Sequence, residues 1–474
     1  MDHGDGATKP APAGSTNEPL NAADHITIGL RVSDTARSRT LKALRSTFRD
    51  AIHRSWRRFR RLERAAVRPR LRRLALTLLR VRLSPRSAVR HPDQRAAIRI
   101  LLLNAYAMGG TTRTVLNQAG YLARHHNDVE IISLLRRRKE PFFPFPPGVT
   151  VSVLDDRTRR PGRLGRLLSR LPSLLTPQEE ASFRSVSLWT DVRLARRIRG
   201  MRSGVLMATR PSLNLLTAEI ARPRVVTIGQ DHMNLGSYRE QVRREIVRRY
   251  GRLTALTVLT PASLTEYREA LAGQPVRVAQ IPNALPNVDG GATRGDSKVV
   301  VAAGRLTRQK GFDLLIRAFV EVSEKHPDWV LRIFGSGHLE NKLKKMIAKH
   351  GLTGKVILNA RTRRLGHELA DASVYVLSSR FEGMPMVLIE AMSKGLAVVS
   401  FDCPHGPAEL ITHLSDGLLV PPEDVAKLSA ALLQTIEDEN LRRRLGNQAK
   451  ESSRAYDLEV IGAQWDRLLA ELRR

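Results

Sequence analysis

Short apolar blocks alternate with amphipathic stretches along most of the chain. In its first half these blocks predict buried strands at 98–103, 129–134, 149–154, 204–208, 225–228 and 256–259. In its second half they predict buried strands at 299–303, 330–334, 356–359, 374–377 and 397–401. Short buried strands that alternate with helices are typical of parallel sheets covered by helices on both faces. We therefore predict an α/β protein with two Rossmann-like, doubly wound domains.

The stretch between the two runs is rich in turn-forming residues. Residues 283–297 include Pro286 and several glycines, which is typical of a linker between domains. Open parallel sheets bind ligands beside the carboxyl ends of their strands, so we expect the two domains to face each other across a cleft that holds the functional site. We place the first domain at 96–285 and the second at 286–474.

Residues 37–90 follow a helical pattern instead. Apolar side chains, among them tryptophan and phenylalanine, recur at three- and four-residue steps, while the opposite face is nearly all arginine. Pro69 should end this helix, and a second basic stretch follows it. Residues 1–28 are rich in Gly, Ala, Pro, Ser and Thr without periodicity. We therefore predict that residues 1–95 form a disordered tail plus a basic amphipathic helical extension.

Three interpretations of this basic extension stay open. A basic amphipathic helix binds the surface of an anionic membrane, and we expect that role for residues 37–90. The helix would otherwise pack on the protein's own surface or on a second copy, with a solvated arginine face. Nucleic-acid binding fits least, because no recognised nucleic-acid module or aromatic stacking motif lies near the charge.

Composition narrows the class of protein. The chain has 474 residues, of which 42% are hydrophobic, so globular domains are expected. A formal net charge of +33 calls for an anionic partner or a heavily solvated surface. The single cysteine, Cys403, fits a reducing compartment. The start lacks a secretory pattern, and no stretch reaches the ~18 apolar residues that a spanning helix requires. We expect a cytoplasmic protein that is peripheral at the inner face of the cell membrane.

Two carboxylates after the predicted strand 374–377 point to a ligand site. Glu382 and Glu390 have seven residues between them. Gly383, Met384 and Pro385 lie where the strand should turn into a helix that begins near Met386. A helix N-terminus presents unpaired N–H groups, which suit a phosphate. Glu390, about one turn into that helix, and Glu382, in the loop, are placed to accept hydrogen bonds from sugar hydroxyls.

This segment resembles the Glu-x7-Glu signature of the retaining glycosyltransferases of family 4, which have the GT-B fold. The resemblance spans roughly residues 97 to 470. It implies that Glu382 faces the hydroxyls of the donor sugar and that Glu390 binds the ribose, with Gly383, Met384, Pro385 and Met386 around them. It further implies an acceptor domain at 96–285, a nucleotide-sugar donor domain at 286–474, and a C-terminal helix that crosses back to the first domain.

A pair of cations follows the strand predicted at 299–303. Arg305 ends that strand and Lys310 precedes the next helix, so both are placed to reach one diphosphate. The stretch resembles the family's Gly-Arg-x-x-x-x-Lys-Gly segment, whose Arg and Lys clamp the diphosphate. Gly335, in a Gly-x-Gly turn, resembles the family's turn beside the nucleotide. We find no Asp-x-Asp motif and no clustered His and carboxylate set in the second domain, so we expect no metal and no cofactor beyond the nucleotide sugar as co-substrate.

The first domain contributes two further candidate sets. Gly109 and Gly110 lie between the first strand and its helix, where glycine lets the backbone approach a phosphate. They resemble the family's Gly-Gly loop, and Arg113 beyond them is a candidate contact for the acceptor or a phosphate. His232 follows a strand and matches a family position where a histidine contacts the donor sugar. Asp231 stands where glutamate is usual, and we expect it to support that contact.

The resemblance implies a retaining hexosyltransferase, and the lack of a metal-ligand motif in the second domain predicts that it is metal-independent. It would move a hexose with retention from a nucleotide diphosphate sugar to a membrane-linked or polymeric acceptor, such as a glycolipid, cell-wall or capsular polymer. His232, Arg305, Lys310 and Glu382 are the predicted catalytic residues. Two alternatives stay open. One is a nucleic-acid or membrane-binding protein whose basic N-terminal segment is the functional part. The other is a phosphorylase-like or epimerase-like enzyme on a similar fold.

Overall fold

The computed structural model describes residues 70–77, 79, 97–126 and 128–473. The predicted disordered tail and most of the predicted basic extension lie outside these residues. Within the described part of the chain, no helix combines the length and apolarity that crossing a membrane requires.

Seven parallel strands form the sheet of the first domain. Their order across the sheet is β3-β2-β1-β4-β5-β6-β7. The strands are β1 (Ile98–Leu102), β2 (Val129–Arg136), β3 (Val149–Asp156), β4 (Val205–Ala208), β5 (Val226–Asp231), β6 (Ala255–Val258) and β7 (Arg277–Gln280). Both faces of the central strands are buried, which explains why they read as continuous apolar runs.

Six helices lie between β1 and β7 within the described residues. They are α1 (Gly110–His125), α2 (Arg163–Arg170), α3 (Leu188–Gly200), α4 (Pro211–Ile220), α5 (Glu240–Arg249) and α6 (Pro261–Ala270). Their starts follow local chemistry: the Ser187 side chain accepts a hydrogen bond from the N–H of Thr190 ahead of α3, and α4 and α6 each begin with a proline.

The second domain repeats the pattern with six parallel strands, in the order β10-β9-β8-β11-β12-β13. They are β8 (Val299–Ala303), β9 (Val330–Phe334), β10 (Val356–Asn359), β11 (Val374–Leu377), β12 (Ala397–Phe401) and β13 (Leu418–Val420). The helices are α7 (Phe312–Lys325), α8 (Glu340–Lys349), α9 (Leu365–Ala370), α10 (Met386–Ser393), α11 (Pro407–Leu410), α12 (Val425–Glu437), α13 (Glu439–Ser453) and α14 (Leu458–Glu471). The predicted pair of doubly wound α/β domains is thus confirmed.

The last helix returns to the first domain, as the resemblance implied. The apolar face of α14, which includes Ile461 and Trp465, joins the hydrophobic core that α1 forms with the first sheet. The Tyr121 hydroxyl donates to Asp466 Oδ2 at 2.8 Å. A Cβ at Gly462 would lie 2.1 Å from the Tyr121 ring, so only glycine lets the two helices approach this closely. This contact joins the two domains behind the cleft.

A short basic helical segment, residues 70–77 and 79, packs on the first domain. Leu76 is 2% exposed in a cluster with Leu175. Arg72 donates from Nε to the Leu175 carbonyl at 2.8 Å and pairs through Nη1 with Glu245 at 2.9 Å. For these residues, packing on the protein's own surface is the observed arrangement.

Two edge strands were missed from the sequence, and three strands are longer than predicted. β7 reads Arg-Val-Ala-Gln and β13 has only three residues, so neither shows a clear apolar block. β2, β3 and β5 extend to Arg136, Asp156 and Asp231 because their polar ends still pair with the neighbouring strands. The strand predicted at 225–228 therefore continues to Asp231, which ends β5.

Candidate functional site

The turn after β8 and the loop after β11 are packed together at the carboxyl edge of the second sheet. Gly311 lies between that turn and α7 with φ 61°. A Cβ there would stand 1.9 Å from the Ser378 carbonyl oxygen, so both the conformation and the space require glycine. The Ser378 hydroxyl donates to the Lys310 carbonyl at 3.0 Å. The close approach brings Lys310 against the loop that carries Glu382.

Lys310 and Glu382 form an ion pair that is mostly shielded from water. Lys310 Nζ lies 2.6 Å from Glu382 Oε1, and the two side chains are 16% and 7% exposed. The Ser379 hydroxyl donates to the same carboxylate oxygen at 2.5 Å. Two predicted catalytic residues are thus in direct contact, each satisfying the charge of the other.

Arg380 stabilises the loop that carries Glu382 through several hydrogen bonds. Its guanidinium binds Asp313 at 2.8 and 2.9 Å, Glu423 at 2.8 Å and the Arg308 carbonyl at 2.8 Å. The hydrogen bond to Asp313 raises the pKa of Arg380 and lowers the pKa of Asp313. Such a braced loop can present fixed charges without reorganising. No role was predicted for Arg380 from the sequence. Its place close to Glu382 in the same loop could have indicated one.

Arg305 lies apart from the Lys310–Glu382 pair. Its side chain is exposed, and Nη2 donates to Gln309 Oε1 at 3.0 Å. Joint binding of one diphosphate by Arg305 and Lys310 therefore stays a prediction, since Lys310 is paired with Glu382 here. Gly335 packs against the backbone of Gly304. A Cβ at position 335 would lie 1.9 Å from the Gly304 carbonyl oxygen, so this close packing requires glycine.

Glu390 connects the two domains. Its side chain is 3% exposed, and Oε1 accepts from Arg113 Nη1 of the first domain at 2.9 Å. The second oxygen, Oε2, is buried and has no hydrogen-bond partner among the described residues. Burial raises the pKa of Glu390, while the Arg113 charge opposes that rise. An acceptor atom with no partner is thus held inside the interdomain contact.

Helix N-termini from both domains meet at this contact. Arg113 belongs to the first turn of α1 and Glu390 to the second turn of α10. No described side chain caps α1 after Gly109 or α10 after Pro385. A Cβ on Gly110 would meet no described atom within 4 Å, so no neighbour in the described part of the chain requires glycine at that position. The uncapped N–H groups form an anion-attracting environment.

Gly383 lies against His232 across the cleft. A Cβ on Gly383 would be 2.6 Å from the His232 carbonyl oxygen. Neither ring nitrogen of His232 has a described hydrogen-bond partner within bonding geometry, although both are buried. Burial lowers the pKa of His232 to about 4, so the ring is neutral at neutral pH. The ring also borders a cavity of about 20 Å³ between the first domain and α14, with room for about one water.

Asp231 is buried among tyrosines of the first domain. It is 1% exposed, its Oδ1 accepts from Tyr238, and its Oδ2 accepts from the Tyr267 hydroxyl at 2.5 Å. Burial raises its pKa to about 7. In this arrangement both carboxylate oxygens are used to anchor the end of β5, and His232, the next residue, is positioned by that anchor.

The remaining predicted positions line or support the loop before α10. Pro385 precedes the helix, and a Cβ on Gly406 would be 2.8 Å from its Cδ. Met384 is buried, and its Sδ accepts from the Asn283 N–H at 3.3 Å. Met386 is half-buried against the core beneath the loop. Their predicted substrate contacts stay predictions.

Cys403 and Glu409 complete the cleft side of the second domain. Cys403 is 2% exposed, and burial, with the Glu382 charge, raises its pKa to about 12, so it packs as a small apolar residue. Glu409 Oε1 accepts from the Ala262 N–H of α6 at 2.9 Å, a second bridge between the domains. In the first domain, Arg210 pairs with Glu180 at 2.6 Å. Among the described residues, no group of three or more His, Cys, Asp or Glu is arranged to hold a metal ion.

The fold and this site define a class: a GT-B protein with an ion-paired carboxylate site between two Rossmann-like domains. Residues 288–452 match the family model described as glycosyl transferases group 1. A solved structure of a variant of S. aureus TarM with Fondaparinux, alpha-GlcNAc-glycerol and UDP has a TM-score of 0.65 and 15% identity, and covers 79% of this chain and 99% of that chain. The GT-B fold is confirmed by this likeness, and the match to the family model supports the glycosyltransferase prediction for residues 288–452.

Two curated relatives are similar over most of this chain, and one of them is named a glycosyltransferase. An exopolysaccharide phosphotransferase of Streptomyces coelicolor is 37% identical over 387 residues, covering 79% of this chain and 41% of the relative. The amylovoran biosynthesis glycosyltransferase AmsD of Erwinia amylovora is 28% identical over 370 residues, covering 76% of this chain and 96% of the relative. The chain therefore spans less than half the length of the Streptomyces relative and nearly all of the Erwinia one.

Proposed function

We propose that this protein is a retaining glycosyltransferase of family 4 that transfers a hexose from a nucleotide diphosphate sugar to a polymeric or membrane-linked glycan acceptor. The observation that supports this most is the pair of uncapped helix N-termini joined by Arg113 and Glu390, with Lys310 and Glu382 beside α10. In this proposal the diphosphate binds the α10 N-terminus and Lys310, the ribose binds Glu390, and the sugar ring binds Glu382.

Each part of the donor has a matching group. The free Oε2 of Glu390 accepts hydrogen bonds from the ribose hydroxyls. The N-terminus of α10, Lys310 and Arg305 bind the diphosphate through N–H dipoles and fixed charge. Lys310 must exchange part of its contact with Glu382 for phosphate, which frees Glu382 to hold hydroxyls of the sugar. Donor binding and release of the Lys310–Glu382 pair are therefore one event.

Catalysis rests on charge stabilisation and orientation. Negative charge grows on the leaving diphosphate, where Lys310 and Arg305 supply the positive charge that a metal ion would otherwise provide. Neutral His232 accepts a hydrogen bond from the donor sugar near the reaction centre. Both Asp231 oxygens accept from tyrosine hydroxyls, and Oε1 of Glu382 accepts from Lys310 and Ser379 until the donor binds. These carboxylates are therefore assigned to structure and to sugar binding instead of covalent attack. Retention then follows from how donor and acceptor are aligned.

The acceptor is proposed from chemistry and from relatives. The Erwinia relative is named for amylovoran biosynthesis and the Streptomyces relative is named an exopolysaccharide phosphotransferase. The TarM structure is a complex with Fondaparinux, alpha-GlcNAc-glycerol and UDP. A net charge of +33 suits an anionic glycan or an acceptor at an anionic membrane. Peripheral membrane binding through residues 37–90 remains a prediction. The nucleic-acid alternative is not favoured, because the matched group and the cleft account for the chemistry without it.

Donor-dependent product formation tests the proposal. A thermal-shift panel of UDP, GDP, ADP and dTDP sugars should identify a donor, since a ligand of the native state raises its stability. Nucleoside diphosphate should then be released only when a glycan acceptor is present, at a rate that EDTA leaves unchanged. Nuclear magnetic resonance of the product reports the anomeric configuration. The double variant Arg305→Ala, Lys310→Ala should lose turnover, while the charge-matched control Arg317→Ala, Lys342→Ala keeps it. Absence of any nucleotide-sugar response, or an inverted product, would overturn the proposal.

A further inference from the structure

Helix α2 of the first domain presents leucines to solvent. Leu164, Leu167 and Leu171 are 64%, 59% and 46% exposed. At 100° per residue these positions fall on one face of the helix. Gly165, on the inward side, is buried where a Cβ would lie 3.3 Å from the Trp189 ring. The helix therefore packs through its glycine side and leaves its leucine stripe uncovered by any described residue.

A stripe of arginines runs beside these leucines. Arg163, Arg166 and Arg170 project from the adjoining face of α2, are exposed, and form no ion pair with a described carboxylate. They continue into a surface cleft of about 610 Å³ that Arg170 and Arg184 line. The two acids of that cleft are already neutralised: Asp155 binds Arg157 at 2.9 Å, and Asp156 faces Arg136 at 3.6 Å.

We propose that this surface, the leucine stripe of α2 with its adjoining arginines and cleft, docks on an anionic phospholipid membrane. The arginines bind headgroup phosphates, and the leucines enter the boundary between headgroups and acyl chains. This surface is separate from the donor site, and the inference does not depend on the proposed function.

Charge and polarity select lipid over the other occupants. A soluble polyanion would satisfy the arginines but leave three leucines in water. A second copy of α2 would bring arginine against arginine. The stretch at 37–66 of this chain has arginines and an apolar face, so its docking on the leucines is an outcome that the labelling experiment below distinguishes. A membrane of anionic lipids matches both halves of the surface at once.

The place of α2 in the fold connects it with the cleft. The helix follows β3, so its start lies at the carboxyl edge of the first sheet. That edge is where open parallel sheets bind ligands. A membrane docked on α2 would therefore lie along the side of the first domain that opens toward the interdomain cleft.

Site-specific labelling of the full-length protein tests the docking surface directly. Cys403 is buried, so a cysteine introduced by Leu167→Cys is the accessible thiol of the described residues, and unmodified protein measures background labelling. An environment-sensitive fluorophore at position 167 should shift to the blue with phosphatidylglycerol vesicles and stay unchanged with phosphatidylcholine vesicles. The matched control Ile357→Cys, on the second domain at a site 40% exposed, should not respond to either. This readout is local and does not depend on binding by residues 37–90.

Vesicle partitioning supplies the energetic measurement. Arg163→Gln, Arg166→Gln and Arg170→Gln combined should lower the partition constant roughly 100-fold, about fivefold for each charge near the surface. The control Arg202→Gln, Arg248→Gln, Arg268→Gln removes the same charge from other exposed positions and should change it far less. Leu164→Ser, Leu167→Ser and Leu171→Ser combined should weaken binding with an unchanged melting temperature, because these side chains are exposed.

Three outcomes would overturn the proposal. A blue-shifted label without vesicles would mean that another segment of this chain or a second copy covers the leucines. A shift produced by soluble polyphosphate alone would assign the surface to a polyanion. No shift with anionic vesicles would exclude membrane docking at α2.

Discussion

Replacing Glu390 by glutamine should weaken the binding of the nucleotide, and this loss of affinity tests whether Glu390 contacts the ribose. The wild-type carboxylate is buried, with Oε1 on Arg113 and Oε2 without a partner. In the proposed complex Oε2 accepts from the ribose diol as a charged hydrogen-bond acceptor, worth about 1.5–3 kcal/mol. Glu390→Gln keeps the shape and removes the charge, so the Kd for UDP, or for whichever nucleoside diphosphate binds, should rise roughly 10- to 150-fold.

The assay is a cycle between protein and ligand, measured by calorimetry. Wild type and Glu390→Gln are each titrated with the nucleoside diphosphate and with its 2′,3′-dideoxy form. Loss of the hydroxyls should weaken binding to the wild type strongly and to the variant only slightly. Equal losses in both proteins would show that Glu390 does not contact the ribose, and the assignment of this side chain would fail.

Glu219 offers a matched control for that variant. It is also a buried carboxylate paired with arginine, at 2.7 Å from Arg249 and 3.0 Å from Arg252, but it lies in the first domain away from the cleft. Glu219→Gln should lower the free energy of unfolding by about 3 kcal/mol, because it breaks a buried pair, and should leave nucleotide affinity unchanged.

Three further predictions concern the cleft and its support. Gly383→Ala places a Cβ 2.6 Å from the His232 carbonyl oxygen, so it should push the domains apart and lower kcat/KM at least about tenfold, with a small change in Tm; wild-type activity would show that this contact is not needed. Lys310→Met should destabilise the fold by about 3 kcal/mol in urea unfolding, because Glu382 is left buried and unpaired, and an added Glu382→Gln should restore much of that loss. Burial raises the pKa of Asp231 to about 7, so the folded protein keeps a proton that the unfolded chain releases above about pH 4. Stability from this group is therefore lost as pH rises from about 4 to 7, and the unfolding free energy of Asp231→Asn relative to wild type should climb across that range; a constant difference in a pH series of urea titrations would contradict the shift.

The predictable parts of the fold are those with strong local signals. The five strands predicted in the second domain coincide with β8 to β12, because each is a short apolar run between helices. β7 and β13 were missed, since an edge strand needs little apolar surface and is defined by its neighbour. The return of the C-terminal helix to the first domain was predicted only from the resemblance. Its contact with Tyr121 is known only from the tertiary structure.

The candidate site shows the same division. Glu382, Glu390, Arg305 and Lys310 stand out in the sequence because of their spacing after strands. Partners across large sequence separations do not: Arg113 binds Glu390, 277 residues away. Asp231 was expected near the substrate, yet the tyrosines that hold it come from the 3-10 turn region before α5 and from α6.

The sequence by itself determined the two parallel sheets, the cleft at their carboxyl edges and the chemical types available there, because apolar period and turn residues act over a few positions. Only the tertiary structure decided which charges neutralise each other and which polar atoms are left free. It pairs Lys310 with Glu382, leaves Oε2 of Glu390 without a partner, and leaves the leucines of α2 uncovered by described residues. Burial and pairing depend on atoms brought together from distant parts of the chain, and no local pattern contains that information.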